Sequence, residues 1–272
     1  MSEIIPAKYS PRFDRFFAGY CGWLISRSYF SVRAVRGSSE ALRAIEHTRR
    51  PTLVVFNHPS WWDPLVAKWL AMRLTPSRPT LAPMDRDQLE RFGFFRRIGV
   101  FGIDPSDPGS LEPMLAYARA ELEADPSKAF WITAQGQFTD PRSPIRLRPG
   151  AAAFAARLDD PVIVCVALEY AFWQDRKPEI FIRVQECPPP ERSSTTGWLR
   201  TMTGTMRTNG AALAEAVVAR DESAFEPLLG GGAAKINPIY DAWLRLRGRT
   251  GAVPRAHHAE ASARGESANP AP

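Results

Sequence analysis

A chain of 272 residues with 44% hydrophobic content carries enough apolar side chain for one sizeable core and an accessory segment, and too little for two full domains. Its 35 Lys and Arg against 29 Asp and Glu leave a net charge of +6 and a sequence pI near 9.5, which favours anionic partners: a membrane surface, nucleic acid, or a phosphorylated or CoA-bearing substrate. The cysteines Cys21, Cys165 and Cys187 lie far apart with no CxxC pair, so they support neither a disulfide framework nor a zinc ribbon and fit a reducing compartment.

The opening MSEIIPAKYSPRF lacks the basic-then-apolar pattern of a secretory signal, and the expectation is a cytoplasmic protein. Residues 10 to 28 place Phe13, Phe16, Phe17, Tyr20, Trp23 and Leu24 at helical spacings with Arg12, Arg15 and Arg27 among or beside them, which reads as an N-terminal amphipathic helix. Packing on the domain and lying in a lipid interface are both open to it, on different faces. A transmembrane helix needs about 20 mostly apolar residues, and the best run, Phe16 to Ile25, is about half that.

Strands follow at 29–36, 52–57, 79–84, 98–103, 128–134, 161–170 and 179–186, with helices near 64–74, 87–95, 109–124, 149–158, 200–220 and 236–247. Runs such as LVVF and VIVCVAL are continuously apolar, as in a sheet covered on both faces. The expected class is α/β, with a mixed, mostly parallel central sheet between helices. An N-terminal helical segment (1–29) precedes the main domain (30–247). The final stretch (248–272) is rich in Ala, Gly, Pro and Ser and reads as a disordered tail.

The segment PTLVVFNHPSWWDPLV sets His58 and Asp63 in the spacing H-x-x-x-x-D between an apolar strand and a helical pattern. Asp63 followed by Pro64 is a helix-start signal, with Asp at the cap and Pro at the first helical position. The turn between them can return the carboxylate to the imidazole. An imidazole, with an ordinary pKa of about 6.5, takes a proton from a hydroxyl near neutral pH, and a carboxylate on its other nitrogen fixes the tautomer and stabilises the cation formed. His58 and Asp63 are thus read as base and orienter. The plainer alternative is a helix cap beside a satisfied polar residue at a strand end.

With Asn57, His58, Ser60 and Asp63 all in place, the stretch resembles the first motif, N-H-x-S-x-x-D, of the PlsC-like glycerolipid acyltransferase superfamily. Further pieces follow in order. Residues 82–104, APMDRDQLERFGFFRRIGVFGID, look like the second region, with Asp104 and Pro105 where an Arg is common. ITAQGQFTDPRSPIRLRPG corresponds to the third, Gln135 and Gly136 aligning with its Glu-Gly and Arg148 to Gly150 with its later basic-x-Gly. PVIVCVAL resembles the fourth. The likeness spans roughly residues 30 to 190.

The resemblance implies acyl transfer from a thioester of CoA or acyl carrier protein to a hydroxyl of a lysophospholipid, glycerol phosphate or related lipid alcohol. It implies His58 and Asp63 as the catalytic pair, and Asn57, Ser60, Gln135, Gly136, Arg142, Arg146 and Arg148 around the substrate. Two departures stand out. The family's Glu is Gln135, and its phosphate-holding Arg is Phe138, so Arg142, Arg146 and Arg148 either supply the missing cation or form a solvated basic loop. Ser60 also suits support of the turn. Backbone N–H groups near Gly136 or at the helix beginning at Pro64 are the expected oxyanion donors. No G-x-S-x-G elbow is present, which fits direct transfer. The expected setting is peripheral, on the inner face of the cell membrane. No metal and no cofactor beyond the acyl donor is implied, and the dispersed basic residues do not suggest nucleic acid. Oligomeric state is left open. A non-catalytic lipid-binding protein on a degenerate acyltransferase fold is the alternative.

Overall fold

The computed structural model describes residues 4–173, 175–231 and 246–247. The helix expected near 236–247, save Leu246 and Arg247, and the tail from 248 lie outside the described residues. In chain order the main elements are α1 (Pro11–Ser28), β1 (Ser31–Val35), α2 (Ser38–Arg43), β2 (Thr52–Phe56), α3 (Asp63–Leu74), β3 (Thr80–Asp85), α4 (Arg86–Arg91), β4 (Val100–Ile103), α5 (Leu111–Ala124), β5 (Ala129–Thr133), α6 (Gly150–Ala155), β6 (Val162–Ala171), β7 (Glu179–Cys187), α7 (Thr195–Ala219) and β8 (Phe225–Gly230). A 3₁₀ turn at Gly93–Ile98 precedes β4.

The strands form one sheet in the order β4-β3-β5-β2-β6-β7-β1-β8, with β6–β7 and β1–β8 antiparallel and the other neighbours parallel. Strand alternation sends successive side chains to opposite faces. In β2, Val54 and Phe56 join a core with α1 and α3, through Phe17, Cys21, Ile25, Val66 and Leu70. Leu53 and Val55 join a second core with α5, α6 and α7, through Leu115, Phe154 and Met202. Both faces of the central strands are therefore dry, which is why their sequence is apolar without alternation. The inner face of α1 belongs to the first core, and Asp14 of α1 forms a buried ion pair with Lys68 of α3. Among the described residues no helix is long and apolar enough to cross a membrane.

Most expected elements stand within a few residues of their places. Three differ. The helix expected at 200–220 begins at Thr195, because Ser194 caps it by accepting from the Gly197 N–H at 3.1 Å. The helix expected at 87–95 breaks after α4 into the 3₁₀ turn. The edge strand β8 was not expected. It carries Pro227 and pairs with β1 across a register shift between Val32 and Arg33, where a missing N–H is tolerated.

Candidate active site

Three neighbouring parallel strands, β5, β2 and β6, run side by side; β5 and β2 end level, at Thr133 and Phe56, opposite Val166 of β6, which continues to Ala171. Open α/β sheets offer their crevices at the carboxyl ends of strands, and the next residues of all three converge there. Asn57, directly after β2, is buried, and its amide donates to the Leu168 carbonyl at 2.9 Å and accepts from the Leu168 N–H at 2.8 Å. It acts as a side-chain ladder rung between β2 and β6. Gln135, after β5, accepts the His58 backbone N–H on Oε1 at 2.9 Å, and the His58 carbonyl accepts from the Thr139 N–H at 2.9 Å. The backbone of His58 is thus held on both sides.

The imidazole is oriented by Asp63. His58 Nδ1 lies 2.7 Å from Asp63 Oδ2; a carboxylate only accepts, so Nδ1 carries the proton and Nε2 presents its lone pair. The Asp63 side chain is 0% exposed, against 17% for His58, and Nε2 bonds no group among the described residues. A buried carboxylate must be satisfied by donors. Besides His58, Asp63 accepts from the Ser60 N–H at 2.9 Å and from the Tyr170 hydroxyl, at the end of β6, at 2.6 Å on Oδ1. Burial first and the Asp63 charge second raise the proton affinity of the Tyr170 hydroxyl well above the ordinary phenol range, so it stays a donor.

The helix-cap expectation for Asp63 is corrected. Trp62 occupies the cap position, Asp63 is the first residue of α3, and its side chain bonds no N–H of the helix. The carboxylate instead turns back toward the preceding turn, where His58 and Ser60 outcompete the helix for it. Ser60 supports that turn, its Oγ accepting from the Trp62 N–H at 3.2 Å.

The expected anion-binding arginines separate. Arg142 is engaged with the buried Glu169, at 2.5 Å and 3.0 Å from its Oε1, so its charge is neutralised within the protein. Arg146 and Arg148 are exposed and form no ion pair among the described residues. Arg148 crosses Gly136: a Cβ on that glycine, whose φ is +67°, would stand 2.6 Å from the Arg148 Nε. Phe138 is 58% exposed, and its ring lies 4.4 Å from that of His58.

Of the oxyanion donors expected from the sequence, those at the start of α3 and the N–H of Gly136 itself are otherwise occupied. The N–H groups of Asp63, Leu65 and Val66 bond to the Ser60 and Trp62 carbonyls, Pro64 has none, and Gly136 donates to Thr133 at 3.2 Å. The N–H groups of Gln137 and Phe138, next along the loop, bond no group among the described residues. Among those residues, no cluster of three or more His, Cys, Asp or Glu could hold a metal ion. Sequence reading missed Tyr170 and Glu169; the signal was the change of VIVCVAL to Glu-Tyr at the end of β6, level with the residues after β2.

A histidine held by a buried carboxylate, with its other nitrogen free at the mouth of a parallel sheet, can accept a proton from a hydroxyl. The family model described as Acyltransferase matches residues 34–169, half of the chain. Among solved structures, the chain is similar to the 1-acyl-sn-glycerophosphate (LPA) acyltransferase PlsC from Thermotoga maritima, at a TM-score of 0.54 and 11% identity, over 75% of this chain and 81% of that one. No curated protein matches it.

Proposed function

We propose that this chain, which belongs to the acyltransferase family, moves a fatty acyl group from a thioester of CoA or acyl carrier protein to a hydroxyl of a lysophospholipid, glycerol phosphate or related lipid alcohol. The observation that carries the reading is the 2.7 Å bond between His58 Nδ1 and the buried Asp63, which leaves Nε2 free for the acceptor. The acceptor O–H gives its proton to Nε2 as its oxygen forms a bond to the thioester carbonyl carbon. Asp63 stabilises the imidazolium. The C–S bond then breaks, and the thiolate recovers the proton from His58, so no covalent acyl-enzyme forms. The N–H groups of Gln137 and Phe138, unbonded among the described residues, are candidates to receive the oxyanion. Arg146 and Arg148 are the cations available to a phosphate on the acceptor or donor.

The acceptor is met at a membrane surface. α1 turns Phe16, Tyr20 and Trp23 outward at 68%, 45% and 53% exposure, beside Phe92 and Phe94 and flanked by Arg12, Arg15 and Arg27. Aromatic rings rimmed by arginine suit the interface of an anionic bilayer, in keeping with peripheral attachment at the inner face of the cell membrane.

The test is release of free CoA, or of acyl carrier protein thiol, when the purified protein meets an acyl thioester and a panel of phosphorylated and unphosphorylated lipid alcohols, run beside His58→Ala. Release that requires both an acceptor and His58 supports the transferase. No activity above the variant with any pair defeats it and favours a lipid-binding role on the same fold. Sedimentation with phosphatidylglycerol vesicles tests the surface: Phe16→Ser, Tyr20→Ser and Trp23→Ser together should abolish binding, and unchanged binding rejects it.

A further inference from the structure

We infer that Tyr170 is a positioning residue for the acyl transfer, a third member behind the His58–Asp63 pair; the inference rests on the transferase reading. Asp63 has two carboxylate oxygens, and the structure divides them. Oδ2 takes His58 Nδ1 and the Ser60 N–H, while Oδ1 takes the Tyr170 hydroxyl at 2.6 Å. The two oxygens are tied to different elements, the turn after β2 and the end of β6. Rotation of the carboxylate away from the imidazole therefore breaks a bond to each. The same hydroxyl spreads the negative charge that the imidazole would otherwise feel undiluted.

The surroundings add no other charge to Asp63. Tyr29, at the end of α1, closes the site from that side, its ring 5.7 Å from that of Tyr170 and 5.1 Å from that of Trp62. Its own hydroxyl bonds no group among the described residues. Glu169, the neighbour of Tyr170, is paired with Arg142, and Lys68, further along α3, is paired with Asp14. Gln135 and Phe138, which touch His58, are neutral. Tyr170 is thus the one group besides His58 and the Ser60 N–H, among the described residues, that is bonded to this carboxylate.

The experiment is Tyr170→Phe in the full chain, assayed by thiol release against pH, beside Tyr29→Phe and a double-mutant cycle with Asp63→Asn. Loss of a hydrogen bond to a charged group predicts a fall in kcat of about tenfold or more with an unchanged acceptor KM. The acid limb of kcat/KM should move to higher pH, because the undiluted carboxylate holds the imidazole proton more tightly. Tyr29→Phe should leave that limb in place, and Tyr170→Phe should add nothing on the Asp63→Asn background. Should Tyr170→Phe fail to fold, 3-fluorotyrosine at position 170 keeps the ring, makes a stronger donor, and should move the limb to lower pH. An unmoved limb in Tyr170→Phe, or in the fluorinated protein where that is the one measured, reduces Tyr170 to packing and overturns the inference. So does an effect undiminished on the Asp63→Asn background. Absence of His58-dependent transfer in the wild type defeats the transferase reading itself, and this inference with it.

Discussion

Asp14 on α1 and Lys68 on α3 form an ion pair inside the protein, both side chains almost wholly buried. Lys68 also donates to the Thr80 hydroxyl at 3.0 Å, so the pair joins α1, α3 and β3. Burial lowers the proton affinity of Lys68, and Asp14 works against that loss. The helix whose outer face carries the exposed aromatics is thereby fastened to the helix that begins with Asp63.

Removing one partner strands the other charge in a dry place. Lys68→Met should lower unfolding stability by about 3–5 kcal/mol in urea titrations, whereas Asp14→Leu combined with Lys68→Met should recover most of it. Equal losses in the single and double variants would show that packing, not charge, sets the cost.

Gln135 holds the His58 backbone N–H through a neutral oxygen. Gln135→Leu leaves that donor unsatisfied and should cost about 1–3 kcal/mol. Gln135→Glu retains an acceptor, and its loss should be clearly smaller by the same denaturation measurement.

Gly136 has a positive φ and gives its missing Cβ volume to the Arg148 guanidinium. Gly136→Ala should therefore destabilise by about 1–3 kcal/mol and displace Arg148. On the reading that Arg148 meets a phosphate, KM for a phosphorylated substrate should rise by more than kcat falls. An unchanged KM for every phosphorylated donor and acceptor would detach Arg148 from binding.

The cysteines are buried, and burial pushes the Cys21 thiol up to about 12. Cys165 is raised by its hydrogen bond with Cys187 and by burial, while the same bond lowers Cys187. Native protein at pH 8 should resist iodoacetamide, with Cys187 the first thiol to be labelled and Cys21 slow. Mass spectrometry reads the adducts, and rapid labelling of Cys21 would contradict its place in the core.

The sequence by itself determined the class of fold, the apolar strands, the helical faces and the pairing of His58 with Asp63. These are short-range matters: periodicity follows from local geometry, and five residues of chain keep an imidazole and a carboxylate within reach of one another. The edge strand β8 escaped because a proline and flanking glycines carry little local strand preference, and its pairing with β1 supplies the stability instead. Only the tertiary structure decided which way Asp63 turns, since a helix start and a buried imidazole compete for the same carboxylate and their separation in space selects the winner. It likewise brought Tyr170 to Asp63 across 107 positions, committed Arg142 to Glu169, and left Arg148 over Gly136. Those bonds join residues whose spacing in the chain says nothing of their distance, because strand order in the sheet, not order along the chain, makes them neighbours.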